Sequence, residues 1–336
     1  MGNNSFGIDL GTGNIKIYNR NDDNIMIEKN MIAIENKNTL FAYGNSAFEM
    51  YEKAPGNIHI SYPLCNGVIA DIKNMKTLIK YFIGDISKGN AKPSDYYIAV
   101  PTDVTEVEKR AFYDLIKEAD VKAKKIMVVE KAVADGLGLD IDVKNSQGVL
   151  VVNVGYDTTE VSILSLGGIV LSRLIKVGGQ KFDDAIRAAV RREFSLIIGG
   201  KTAENVKISL RDLEKSGKPA VVYGRDIVTG LPVEREIPTT LVDDSLTENF
   251  NTIIDNVKVI LERTPPELAA DIYRHGIYLT GGASQVSRLA ELISNGTGLK
   301  VQVSDNPMSS VAMGLAKIIK DDNYKSVAYA IEGMGK

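Results

Sequence analysis

Two glycine-containing turns carry the chemistry this chain is equipped to do. Gly11-Thr12-Gly13-Asn14 stands between strand-like runs at 6–10 and 15–18, and Gly155-Tyr156-Asp157-Thr158-Thr159 stands between runs at 148–154 and 160–166. Glycines let the main chain approach an oxyanion, and successive backbone N–H groups in a turn form an anion-binding concavity. Two such turns facing each other would cradle a polyphosphate without many lysines. A Walker loop or a dinucleotide fingerprint needs a helix directly after its glycines, and β-type residues continue here, so both are excluded on context. Asp9, at the end of the first strand, is placed to order a magnesium ion through its water shell, because that ion prefers oxygen ligands and keeps several waters. Lys16 lies two residues beyond the first turn, within reach of a β- or γ-phosphate.

The elements that must position these turns repeat. Strand, Gly/Thr/Asn/Asp turn, strand occurs twice, about half a chain apart, which predicts two similar domains with a ligand touching both turns between them. Between the copies the pattern predicts a strand at 97–100, an amphipathic helix over 105–119, a short strand at 126–129 and a helix over 131–139. After the second copy, Phe182, Ile186, Val190 and Phe194 recur every four residues, a helical stripe expected to end at Gly199-Gly200. Phe250, Ile253, Ile254, Val257, Ile260 and Leu261 make another, stopped by Pro265-Pro266. Strand 276–279 then leads through Thr280-Gly281-Gly282-Ala283-Ser284 into a helix predicted over 285–294. No Pro/Ser-rich linker separates the halves, so they are expected to pack together.

Composition narrows the function classes. The chain has 336 residues, 44% of them apolar and 25% charged, which suits a folded protein with a large core and, by size, two domains. Forty Lys+Arg against 43 Asp+Glu, with no long block of one sign, leaves no electrostatic footprint for nucleic acid. No run of about 18 apolar residues is present for a transmembrane helix, and the polar start Met1-Gly2-Asn3-Asn4-Ser5 does not read as a signal peptide, so the expected location is the cytoplasm. A lone cysteine, Cys65, and two isolated histidines, His59 and His275, offer neither an internal disulfide nor zinc-ligand spacing.

In order and at these spacings, the motifs resemble the actin, Hsp70 and sugar-kinase superfamily, and within it the MreB family of bacterial actins. FGIDLGTGNI at 6–15 is similar to that family's first phosphate loop, VVNVGYDTTEVSILSLGGIVLSR at 151–173 to its second, and IYLTGGASQVSRLAELIS at 277–294 to its adenosine motif. Further similar stretches lie at 63–71, 100–111, 176–186, 201–208 and 306–319. The resemblance implies an α/β, actin-like ATPase fold: two RNase H-like domains around a nucleotide cleft, in four subdomains. Subdomain IA would take 1–31, 72–144 and 315–336, IB 32–71, IIA 145–182 and 247–314, and IIB 183–246. It implies ATP or ADP with magnesium in the cleft. Gly11, Thr12, Gly13 and Asn14, with Gly155, Tyr156, Asp157 and Thr158, would hold the phosphates. Glu204 and Lys207, three apart on one helix face, would lie by the ribose and adenine, and Gly281, Gly282, Ala283 and Ser284 by the adenosine. It also implies self-association into filaments, with other paralogues of this type as candidate partners, in cell shape or motility.

The chain departs from the family pattern at the catalytic positions. Members usually carry Glu-Glu-Pro entering the helix that joins the two cores, the second glutamate positioning the attacking water; here the run is Glu130-Lys131-Ala132. A lysine with a pKa of about 10.4 cannot act as general base at pH 7, and phosphates would keep it cationic. Losing such a base costs about 10²- to 10⁴-fold in rate, so hydrolysis is expected to be slow or lost. A cation there would still favour γ-phosphate binding, and Glu130, shifted inward by one position, is the alternative base. The second loop normally reads Asp-apolar-Gly-Gly-Gly-Thr and here reads Asn153-Val154-Gly155-Tyr156-Asp157-Thr158, keeping only the threonine of its catalytic end. Asp157 would repel a phosphate, with Lys16 and Lys131 to offset it. The chain start and the loop 86–95 lack the large apolar residues by which such proteins grip membranes, so contact with the inner membrane face is expected to be weak or partner-mediated. The family's wall-less helical swimmers carry several divergent paralogues, and this chain resembles one of those. A fully active shape-determining ATPase is the runner-up; a sugar-kinase-type phosphotransferase would need an acidic base and a sugar pocket.

Overall fold

The computed structural model describes residues 4–89 and 92–331. Two mixed sheets share one internal plan. In the first, strand Ser5–Leu10 pairs antiparallel with Asn14–Asn19, which pairs with Asn24–Lys29; on its other edge Ser5–Leu10 runs parallel to Ser94–Val100, which runs parallel to Ala123–Glu130. In the second, Val149–Val154, Thr159–Ser165 and Gly168–Ile175 form the meander, and Val149–Val154 runs parallel to Ile277–Thr280, itself parallel to Val301–Val303. The first sheet adds Ala328–Tyr329 beyond Ala123–Glu130. The repeat expected from the two turns is therefore a repeat of whole sheets.

Ser5–Leu10 and Val149–Val154 are buried at every position, because each is central and covered on both faces. Alternate residues serve different layers. Phe6, Ile8 and Leu10 join the core under helices Ile72–Ile86 and Glu106–Glu118, while Leu150, Val152 and Val154 join the one with Phe182 and Phe250. Val149 and Val151 face a third layer, shared by both sheets and filled by helices Lys131–Gly138 and Ser310–Lys320. Those two helices cross with almost no space between backbones: a Cβ on Gly138 would fall 1.8 Å from the Ser310 carbonyl oxygen, and one on Gly314 would fall 1.7 Å from that of Ala134. Glycine is required at both positions.

Each half carries a smaller insertion. A three-stranded sheet of Thr39–Tyr43, Ile32–Glu35 and Ile58–Ser61, with hairpin Leu64–Cys65/Val68–Ile69, interrupts the first; one of Leu196–Ile197, Ala220–Asp226 and Pro232–Ile237 interrupts the second. Helix Glu106–Glu118 matches the predicted 105–119 and begins with a reciprocal Thr105/Glu108 capping box.

Two predicted helices have other limits, and a third ends where expected. Helix Gly179–Phe194 stops at Ser195, which is left-handed (φ 50°), and Gly199-Gly200 instead opens helix Gly200–Ser216. Helix Thr239–Glu262 ends before Pro265-Pro266 as expected, and Pro266 then begins helix Pro266–His275, where its missing N–H is harmless. The helix expected over 285–294 is a 3₁₀ turn, Gly282–Gln285, then helix Leu289–Thr297, with Arg288 left-handed between them. Among the described residues no helix is long and apolar enough to cross a membrane. Residues 1–3 of the chain start and 90–91 of the loop 86–95 lie outside the described residues.

Candidate functional site

The two turns face each other. A Cβ on Gly13 would fall 2.7 Å from Cγ of Tyr156, so the Tyr156 side chain lies directly against the first turn. Asn30, fully buried, holds that turn from behind: its backbone N–H donates to the Gly13 carbonyl at 3.2 Å and its side-chain amide to the Gly11 carbonyl at 3.0 Å. The second turn is seated on the start of helix Gly179–Phe194, where the Gly179 and Gln180 N–H groups donate to the Gly155 and Tyr156 carbonyls at 3.0 and 2.7 Å. With the carbonyls so engaged, the N–H groups of Gly11, Thr12, Gly13, Tyr156, Asp157 and Thr158 make no backbone hydrogen bond among the described residues. Donors left in this way on two opposed turns fit the oxygens of a polyphosphate.

The remaining candidates converge on the same cleft from the second half. Lys207 Nζ donates to the Gly179 carbonyl at 3.1 Å and pairs with Asp183 at 2.7 Å, both side chains being buried. Burial pushes the Asp183 carboxyl up to about 6, with Lys207 opposing it. Glu204 does not pair with Lys207; it reaches Lys29 of the first half at 3.5 Å. The turn Gly281 to Ser284 packs beside them, and Gly281 (φ 88°) lies so close to Val154 that a Cβ would be 2.3 Å from its carbonyl oxygen. Ser284 Oγ closes the turn on the Gly281 carbonyl at 2.7 Å, while Gly282 and Ala283 line it, Ala283 approaching Gly179. Asn14 is the first residue of the second strand, pairing with Lys29 in the sheet.

At the positions that the resemblance marks as catalytic, Lys16 and Lys131 each have a partner. Lys16 Nζ donates to Asp9 Oδ2 at 3.0 Å. Lys131 Nζ donates to Glu160 Oε1, and Glu160 Oε2 accepts from the Thr102 N–H and hydroxyl, both at 3.1 Å. Burial would lower the Lys131 ammonium, but the charges of Glu160, Asp9 and Asp135 outweigh it and hold it above its ordinary range. Lys131 is thus no free cation awaiting a phosphate, a correction to the sequence expectation with a plain cause: the neighbouring strand supplies a buried carboxylate. Asn153, in place of the family's acidic residue, donates to Asp135 Oδ2 at 2.6 Å, and burial pushes Asp135 up to about 6.

Glu130, the alternative base, lies elsewhere. It accepts from Lys109 Nζ at 3.1 Å and the Tyr329 hydroxyl at 2.7 Å, on the side of helix Glu106–Glu118 and strand Ala328–Tyr329. Asp157 accepts a hydrogen bond from the Asn66 N–H, so its charge has a partner other than Lys16 or Lys131. Thr158 is buried beside it, its carbonyl accepting from the Gly155 N–H at 2.9 Å. Among the described residues no group of three or more His, Cys, Asp or Glu side chains forms a metal site.

Sequence reasoning passed over Asn30, Asp135, Glu160 and Asp183. Asp183 had a visible signal, an acid beside Phe182 in a helical apolar stripe. The other three are identified only by partners far away in the chain.

Two repeated sheets enclosing a cleft lined by paired turns define an actin-like fold. The MreB/Mbl protein family model matches residues 3–326, and the chain belongs to that family. It is 35% identical over 314 residues to the cell shape-determining protein Mbl of Bacillus subtilis, covering 92% of this chain and 93% of that protein. It is 33% identical over 329 residues to the cell shape-determining protein MreB of Escherichia coli, covering 95% and 94%. Among solved structures it is similar to MreB5 of Spiroplasma citri bound to ADP, with a TM-score of 0.88 at 34% identity over 97% of this chain and 98% of that one. The AMPPNP-bound form of MreB5 matches at 0.89. The MamK double helical filament shares the fold at a TM-score of 0.78 and 20% identity.

Proposed function

We propose that this chain is an ATP- and ADP-binding, filament-forming bacterial actin that serves as a cytoplasmic scaffold in cell shape or motility and hydrolyses ATP slowly or not at all. The observation carrying the last point is the buried Lys131–Glu160 pair. Water attack on a γ-phosphate is promoted by a group that orients the water and accepts its proton. At the position where the family has a glutamate, this chain presents an ammonium, and the nearest carboxylate is held by that ammonium and by Thr102. Neither is available as a base, and Glu130 is turned away.

Binding has separate support. The N–H groups of the two turns would take the phosphates, Lys207 and Glu204 would flank the ribose and base, and residues 281–284 would close over the adenosine. The MreB5 structures bound to ADP and AMPPNP support a nucleotide in this cleft. Asp9 would hold a magnesium ion through its water shell, and the ion would supply charge neutralisation at the phosphates. Lys16 would share Asp9 with that shell.

The four-subdomain division is also part of this reading. The sheets fall within the expected limits, but the boundaries 182/183, 246/247 and 314/315 cut helices Gly179–Phe194, Thr239–Glu262 and Ser310–Lys320, so adjoining subdomains would share helices instead of meeting at linkers. Self-association would be head-to-tail, through a heterologous contact that propagates. Any membrane contact would be weak or made through a partner.

The test pairs two measurements. Calorimetry with Mg-ATP and Mg-ADP should detect binding, and pelleting in ATP should yield polymer with little phosphate released. No binding at millimolar nucleotide by folded protein would remove the nucleotide reading, and monomers under all conditions would remove the filament.

A further inference from the structure

Two side chains of the second turn stand where the related loop has glycines, and both reach across the cleft. The Tyr156 ring lies 5.5 Å from the Tyr62 ring, and Tyr62 is in turn 6.2 Å from Tyr51. One position on, the Asp157 carboxylate accepts from the backbone N–H of Asn66, at the tip of hairpin Leu64–Cys65/Val68–Ile69. Asn66 (φ 51°) and Gly67 (φ 80°) are both left-handed, the tight turn that turns an N–H outward to a partner. Glycines at 156 and 157 would make neither contact.

Both contacts connect the insertion of the first half to the phosphate turn of the second. Nearer the mouth, the Glu52 carboxylate accepts from the Gly200 N–H at 2.8 Å, and Lys29 lies 3.5 Å from Glu204. The inner pair differs from the outer in strength. Glu52 is exposed and the Lys29–Glu204 contact is long, whereas Asp157 is buried and Tyr156 is wedged between Gly13 and Tyr62. The Tyr62 hydroxyl is pushed up to about 12 by burial, as expected for a ring enclosed at this depth.

We propose that Tyr156 and Asp157, acting on Tyr62 and Asn66, form a clasp across the cleft that determines how long a bound nucleotide stays. The inference rests on the nucleotide reading above. A nucleotide held by turns 11–14 and 155–158 can leave only if the halves part, and parting them separates the Tyr62 and Tyr156 rings and breaks the Asp157–Asn66 hydrogen bond. A retained nucleotide suits a polymer whose subunits do not hydrolyse it: exchange, and not hydrolysis, then becomes the step that changes the bound state.

The test is release of preloaded fluorescent ATP on chasing with excess unlabelled ATP, in monomeric protein with magnesium. Tyr62→Ala should speed release at least about threefold through the lost ring contact. Asp157→Ala should speed it at least about fivefold through the lost charge-assisted bond. Tyr62→Phe, which keeps the ring, should stay within about twofold of the parent. In a Tyr62→Ala/Tyr156→Ala cycle the double variant should release no faster than about the faster single one, since both remove one contact. Parent-like release in Tyr62→Ala and Asp157→Ala variants that melt normally and bind nucleotide would overturn the clasp, as would equal acceleration by Tyr62→Phe. Failure of the parent to bind nucleotide would overturn the underlying reading instead, and the clasp with it.

Discussion

The Lys131 ammonium and the Glu160 carboxylate form an ion pair inside the cleft, one from the start of helix Lys131–Gly138 and the other from strand Thr159–Ser165, with side chains only 17% and 3% exposed. A buried pair of this kind adds little over an apolar pair, but removing one member strands the other. Lys131→Met should therefore destabilise the nucleotide-free protein by about 3–5 kcal/mol, and adding Glu160→Gln should recover most of that loss. Urea unfolding of the two variants checks it. Equal instability of the single and double variants would mean that the pair is not coupled.

Acidity of the interior gives a pH dependence of unusual sign. Asp135 rises from 3.8 to about 6 on folding because it is buried, so the folded state binds its proton more tightly than the unfolded chain does. Its contribution is least costly below about pH 4 and most costly above about pH 6, reaching up to about 3 kcal/mol of lost stability. Asp135→Asn should raise the melting temperature at pH 7.5 and leave it nearly unchanged at pH 4. Asp183 titrates in the same window, so the comparison is between variant and parent at each pH. A variant destabilised at pH 7.5 would show that the Asn153 hydrogen bond outweighs desolvation.

The crossing of the two inner helices is predicted to be intolerant. Gly314→Ala would drive a methyl into the Ala134 carbonyl and should cost about 3 kcal/mol or more, or prevent soluble expression. Gly84→Ala, in helix Ile72–Ile86 with open space around it, should instead stabilise by about 0.5–1 kcal/mol. Thermal melts of both decide, and a harmless Gly314→Ala would contradict the close packing of Lys131–Gly138 on Ser310–Lys320.

Much of this was legible in the chain, for physical reasons. The two turns announce themselves because glycine and threonine interrupt continuous apolar runs, and those runs are continuous because Ser5–Leu10 and Val149–Val154 are covered on both faces. The insertion sheets gave no such signal: Thr39–Tyr43, Ile58–Ser61 and Pro232–Ile237 are half exposed and short, with mixed patterns. Ser195 and Arg288 take left-handed backbone that their residue types do not advertise. Glu160 pairs with Lys131 over 29 positions, and Asp157 with Asn66 over 91, distances at which sequence spacing carries no information. For that reason Lys131 reads as a free cation in the sequence and is paired in the fold; Lys16 is paired too, but with Asp9, which stands directly opposite it across the first hairpin.

Phosphate release followed beside pelleting in Mg-ATP tests the central claim most directly, run on the parent and on Lys131→Glu at matched polymer mass. Lys131→Glu sets a second carboxylate beside Glu160, and two such groups at close range push one pKa up, towards the range in which a carboxylate accepts a proton from water. The parent is predicted to assemble while releasing less than about one phosphate per ten subunits, and Lys131→Glu to release phosphate at least about tenfold faster, a modest part of a usual general-base contribution. A parent that releases phosphate stoichiometrically as it assembles, at the rate of its own Lys131→Glu variant, would contradict the account.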